Sequence, residues 1–146
     1  MTKRVLVTCS RSWTDWETAR RILRRVHDLA PDAILVSGHA RVGDQDLERI
    51  WQGLGGEVEL HPVLSWYKGK RFNSQAGFER SEKMADLGAT VCLAFIGPCE
   101  KDDCIMRGLH GSHGAEHCAD YAEKRCRIPV QRFLDPILRA CPPSLT

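Results

Sequence analysis

Between Cys99 and Cys118 the chain reads CEKDDCIMRGLHGSHGAEHC, which gathers three cysteines and three histidines into one short stretch. Cys99, Cys104, His110 and His113 follow the spacing Cys-x4-Cys-x5-His-x2-His. Thiolate and imidazole are the donors that tetrahedral zinc takes, and four protein ligands leave no position for water, so the chemistry of such a set is structural rather than catalytic. A metal tie would also hold a stretch that is otherwise long for a connection inside a compact domain. His117 lies one helical turn beyond His113 and is an alternative to it as a ligand. The spacing is close to the common zinc-finger spacings without being one of them, so the competing reading is a surface loop rich in cysteine and histidine.

The same stretch contains Gly111-Ser112-His113-Gly114, which suits a different chemistry. Small residues let the backbone come close to a ligand, and the unpaired N–H groups of a helix start bind anions. Two further stretches have this character: Cys9-Ser10-Arg11-Ser12-Trp13, and Gly38-His39-Ala40-Arg41-Val42-Gly43-Asp44. Each combines small residues with a hydroxyl, arginine or histidine that can hold phosphate. Taken singly, each is an ordinary turn; three at one edge of a sheet would be a site. Neither GxGxxG nor GxxxxGK[ST] occurs, which disfavours an ordinary dinucleotide site and a P-loop. His113 belongs to both readings, as a metal ligand or as a phosphate contact.

The elements that must position these residues are legible from periodicity. Arg4–Ser10 and Ala33–Ser37 are short apolar runs of the kind buried on both faces of a parallel sheet, and Val91–Ile96, the most apolar, is expected at its centre. Glu57–Val63 alternates and contains Pro62, which places it at or near an edge, and Pro129–Phe133 is a last short strand. Thr14-Asp15-Trp16-Glu17 reads as a capping box that opens a helix with Trp16, Ala19, Leu23 and Val26 on one face. Leu47, Ile50, Trp51 and Leu54 mark a second helix, and Ala76–Leu87 is a third. The small residues Ala115, Cys118, Ala119 and Ala122 mark a fourth, able to lie close against a sheet. Hairpin signals are lacking, and Trp66 to Asn73 reads as a connection. Strands alternating with helices predict an α/β, Rossmann-like, open and mostly parallel sheet in a single domain spanning residues 1–134, with 135–146 as a C-terminal tail. In such a sheet the ligand crevice lies beyond the carboxyl ends of the strands, which is where all three small-residue stretches fall.

With the elements in place, the sequence resembles the YspA-like branch of the SLOG superfamily, the Rossmann-type group that also holds the Lonely-guy phosphoribohydrolases and the DNA-processing protein A. The resemblance runs from Arg4 to Phe133. It is carried by Arg4-Val5-Leu6-Val7-Thr8 with Ser10-Arg11-Ser12-Trp13, by Gly38 to Asp44, and by Trp66, Gly69-Lys70, Ala76-Gly77, Arg80 and Met84. Val91-Cys92-Leu93-Ala94-Phe95, Ser112-His113-Gly114 and Ile128-Pro129-Val130 complete it. It implies a fold that binds nucleotides or nucleotide-derived molecules, often as a homo-oligomer, dimer or tetramer. It further implies that Ser10 and Arg11 touch a phosphate or ribose, that Gly38, Ala40, Arg41, Gly43 and Asp44 wrap the ligand, and that Ser112, His113 and Gly114 hold phosphate, with Arg80 facing the ligand. Cys9 stands where glycine is common, and Val42-Gly43-Asp44 shifts the usual Gly-Ala-Asp, which leaves Asp44 and Asp46 as rival acids.

The Lonely-guy enzymes use a glutamate in PGGxGTxxE. Aligning Gly111 and Gly114 to that motif puts Cys118 at the glutamate, while Glu116 is two residues early and turned away by roughly 200° on a helix. A binder or sensor is therefore the expectation, and a nucleotide N-glycosidase using Asp44 or Glu116 is the enzymatic alternative. Lys68, Lys70 and Arg71 beside Trp66 and Tyr67 offer a modest single-stranded nucleic-acid alternative, against which stands the reading of a solvated loop with Trp66 packed inward.

Composition bounds these choices. The chain has 146 residues, 42 % hydrophobic and 27 % charged, with a formal net charge of +2. That charge is too mild to argue for nucleic acid, and Arg20, Arg21, Arg24 and Arg25 read as a solvated helix face. The seven cysteines are an odd set without disulfide-like spacing, which with the lack of a signal-peptide pattern leads to the expectation of a cytoplasmic protein, Cys9 and Cys92 filling its core.

Overall fold

The computed structural model describes residues 2–101, 104 and 108–139. In chain order the elements are β1 (Arg4–Cys9), α1 (Trp16–Leu29), β2 (Ile34–Ser37), α2 (Asp44–Gly53), β3 (Glu57–Leu60), β4 (Tyr67–Lys68), β5 (Arg71–Phe72), α3 (Ala76–Asp86), β6 (Val91–Ile96), α4 (His113–Lys124), β7 (Val130–Leu134) and α5 (Pro136–Arg139). β1, β2, β3, β6 and β7 form one parallel sheet in the order β3-β2-β1-β6-β7, the Rossmann-like arrangement expected. Val5 aligns with Leu35 on one side and Val91 on the other. The centre is therefore β1, not Val91–Ile96; β6 is interior and one strand removed. Both runs are apolar on both faces, and composition alone does not rank two such strands.

The alternation of side chains along β1 sorts the core into two layers. Val5, Val7 and Cys9 face Leu23 of α1 and Leu47 and Trp51 of α2, with Leu35, Trp13 and Phe95. Leu6 faces the other way, with Val36, Cys92, Met84, Cys118 and Ala122, beneath α3 and α4. Ala115 and Ala119 let α4 lie directly on Ala94 and Ile96. Arg20, Arg21, Arg24 and Arg25 are all exposed, a solvated face. Among the described residues no helix is long and apolar enough to cross a membrane.

Three local readings change. The N-cap of α1 is Asp15, whose carboxylate accepts from Thr18 N at 3.2 Å and from the Thr18 hydroxyl at 2.7 Å. Thr14 is drawn away to Asp135, giving it both its N–H (2.7 Å) and its hydroxyl (2.8 Å). The folded body accordingly continues past Leu134: Asp135 is fully buried, its N–H bonds to Ile96 O at 2.8 Å, and its carboxylate also accepts from Ile137 N at the start of α5. Burial opposes ionisation of Asp135, but these donors outweigh it and hold its carboxyl below the usual value. Residues 140–146 of the expected tail, with Pro142-Pro143, lie outside the described residues. Finally, Trp66 to Asn73 is not a plain connection. β4 and β5 pair antiparallel around a turn in which Gly69 has φ +63°, and strands of two residues are too short to alternate visibly.

Candidate ligand cleft and metal cluster

The strand order reverses between β1 and β6, so the loops leaving their carboxyl ends diverge and open a crevice. A cleft of about 460 Å³ occupies this place. The loop after β1 brings Ser10 and Arg11 to its wall, and the turn before α2 brings Ala40 and Asp44. The start of α4 adds Ser112, His113 and Gly114, and α3 adds Arg80. Gly38, Arg41 and Gly43 stand outside the lining.

Gly38 and Gly43 serve from behind. A Cβ on Gly38 would fall 2.6 Å from the guanidinium carbon of Arg80, so its lack of a side chain is what lets Arg80 pass. Gly43 has φ +97°, and a Cβ there would lie 3.0 Å from Cys9 O, which seats the start of α2 directly on the loop after β1. Arg41 is exposed. Arg80 is half-buried, and its Nη1 donates to the carbonyls of Gly38 and His61, tying together the ends of β2 and β3. It lines the cleft with one arm already committed.

Two features give the cleft its electrostatic character. Ser112, the N-cap of α4, makes no side-chain cap; its hydroxyl is hydrogen-bonded to that of Ser10. Asp15 caps the first turn of α1, and Asp46 accepts from the N-cap Gly43 N of α2 at 3.1 Å, whereas among the described residues no carboxylate bonds the N–H groups opening α4. This end of α4 carries the partial positive charge of the helix into the cleft. Opposite in sign is Asp44, whose carboxyl accepts from Ala40 N at 3.2 Å. Burial pushes it up to about 6, against the pull of that hydrogen bond and of the Arg80 charge. Of the two acids, Asp44 lines the cleft, whereas Asp46 bonds the N-cap Gly43 and pairs with Arg49 at 3.0 Å. Glu116 does not line the cleft. It lies beside Gly111 in a smaller cavity of about 270 Å³, with His117 and Asp120.

Cys99, Cys104, His110 and His113 come together with one donor atom each, all within 4.8 Å of one another. Cys104 Sγ is 3.4 Å from His110 Nε2 and 3.2 Å from His113 Nε2, and the two imidazole nitrogens are 3.3 Å apart. Bonds of about 2.0–2.3 Å in a tetrahedron set ligand atoms roughly 3.3–3.8 Å apart, so the set can hold one metal ion. The loop is closed at its base by a bridge between Pro98 and Gly111, where Cys99 N donates to His110 O at 2.8 Å. His110 Nδ1 lies 2.9 Å from Gly108 O; a carbonyl only accepts, so the proton sits on Nδ1 and the Nε2 lone pair is free for a metal. His117 is not part of the cluster. Glu82 takes it at 3.0 Å, and Phe78 packs against its ring. His113 lends its side chain to the cluster while also lining the cleft.

Trp66 and Phe78 also line the cleft, and sequence reasoning assigned neither to it. Trp66 is 45 % exposed rather than packed inward. The sequence signal was weak: Phe78 adjoins Gly77, but Trp66 lies far before it and meets Gly77 only once the hairpin folds back on α3. No protein-family model, curated protein or solved structure is matched by this chain.

Proposed function

We propose that this protein is a YspA-like member of the SLOG superfamily that binds or senses a nucleotide or nucleotide-derived small molecule in the cleft, with a structural zinc ion held by Cys99, Cys104, His110 and His113. The observation that carries the reading is the convergence of three small-residue loops on the point where the strand order reverses, where α4 opens into the cleft with no side-chain cap from Ser112. A phosphate seated there accepts from the first-turn amides of α4 and from the Ser10 and Ser112 hydroxyls, and Arg11 supplies a charged fork. Asp44 is placed to accept from a sugar hydroxyl. Zinc is supported by the soft donor set and by spacings that a tetrahedral ion fits.

Native mass spectrometry of the purified chain, with and without a chelator and with added adenosine monophosphate, tests both parts. The expected spectrum carries one zinc per chain, lost to the chelator, and a saturable nucleotide adduct. A bare mass under all conditions would contradict both. A second reading, a nucleotide N-glycosidase, draws on one observation, a cleft carboxyl pushed up to about 6 and so able to exchange a proton near neutral pH. Release of free base from nucleoside monophosphates, abolished in Asp44→Asn, would favour it over the binder.

A further inference from the structure

The cleft has two chemically different sides. The β1 and α4 side presents hydroxyls, a guanidinium and helix N–H groups, whereas the hairpin and α3 side presents Trp66, Gly77 and Phe78. Trp66 is held in place before any ligand arrives. Asn73 N donates to Trp66 O at 2.6 Å across the base of the β4–β5 hairpin, and Lys68 pairs with Glu79 of α3 at 3.6 Å. Phe72 stacks on the indole with ring centres 6.2 Å apart and planes within 13° of parallel, and Tyr67 meets Phe72 edge-on at 5.8 Å. The far edge of the indole lies over Gly77, 3.6 Å from where a Cβ would stand, so a bare stretch of α3 serves as its floor. The indole is backed by Phe72 on one face and by Gly77 at its far edge, yet 45 % of Trp66 stays exposed beside the hydroxyl- and arginine-bearing side of the cleft, open to a flat partner.

We propose that Trp66, braced by Phe72, is the surface on which the base of the bound nucleotide stacks, with Phe78 completing an apolar base pocket, while the β1 and α4 side holds the phosphate. This deepens the binding function proposed above and rests on it. Because Trp66 is already ordered, stacking costs little side-chain entropy, and a π-face is tolerant of which base it meets. The site therefore selects for the presence of a base more strongly than for its identity.

Isothermal titration of adenosine monophosphate and of ribose 5-phosphate, which shares sugar and phosphate but lacks the base, separates the two sides of the cleft. Trp66→Ala is expected to weaken adenosine monophosphate by about tenfold or more and to leave ribose 5-phosphate unchanged. Trp66→Phe is expected to restore most of the loss. The partly exposed position makes a folded variant the expectation, checked by an unchanged melting curve. Equal binding of adenosine monophosphate by wild type and Trp66→Ala would overturn the stacking role and leave the phosphate site standing. Failure of the wild type to bind either ligand would overturn the binding function itself, and this role with it.

Discussion

Cys92 and Cys118 face each other between sheet and helix, both fully buried, whereas Cys99 and Cys104 sit half-buried in a loop with two imidazoles. The residue type is the same and the uses are opposite. Cys92 keeps its proton as donor to Cys118, which together with burial pushes the Cys92 thiol far up, and burial does the same to Cys9. A thiol that cannot ionise is neither ligand nor nucleophile and behaves as a small apolar side chain. In the loop, donors converge with their lone pairs free, and a cation can replace the protons. Ligand chemistry in this chain is thus decided by where the backbone delivers a cysteine, and the strands deliver theirs to the core.

The comparison breaks most visibly at the loop. Cys104→Ser should reduce zinc affinity by more than about a hundredfold, since even the outer partners of a metal ligand are commonly worth 10- to 100-fold; metal content after dialysis reads this directly. Retention of a full zinc complement by that variant would mean that the cluster is not the site.

The cleft offers the next largest effect, through pH. Asp44 has an ordinary value of 3.8 and is raised to about 6 in the folded chain. The folded state therefore holds this proton more tightly than the unfolded chain, so its contribution to stability is full below about 4 and is lost as pH rises through 6. Asp44→Asn should remove that loss and be the more stable protein at pH 7 by on the order of 3 kcal/mol, with the difference vanishing near pH 4. Urea unfolding of both proteins at pH 4, 5, 6 and 7 would show it, and parallel pH profiles would contradict it.

The smallest effect sharpens the other half of the comparison. Cys92→Ser puts a hydroxyl among Leu6, Val36 and Met84, which should cost roughly 2 kcal/mol of stability. Zinc content should stay unchanged. A variant that lost zinc as well would show that core and loop are not independent.

How much of this could be read beforehand depended on how local its causes are. The buried strands Arg4–Cys9 and Val91–Ile96 announce themselves as continuous apolar runs, and the four metal-set residues lie close enough in sequence for their types and spacing to speak. The three loops were legible for a related reason, because each directly follows a strand or opens a helix. What escaped was set by distant partners. Thr14 looked like a helix cap until Asp135, far along the chain, claimed its donors. His117 shares a helical face with His113 but is taken by Glu82 of α3. Asp44 and Asp46 could not be told apart until Gly43 fixed where α2 begins, and Trp66 could be assigned a direction only when the hairpin returned it to Gly77.

The central claim is that the crevice between β1 and β6 binds a phosphorylated small molecule through the start of α4. Its most direct test is a titration of the isotopically labelled, zinc-loaded protein with adenosine monophosphate, followed by amide chemical shifts. Saturable shifts concentrated at His113, Gly114 and Ala115, with Ser10 to Ser12 moving along the same curve, are the predicted result. A spectrum unmoved by millimolar nucleotide, or shifts confined to another face of the sheet, would contradict it.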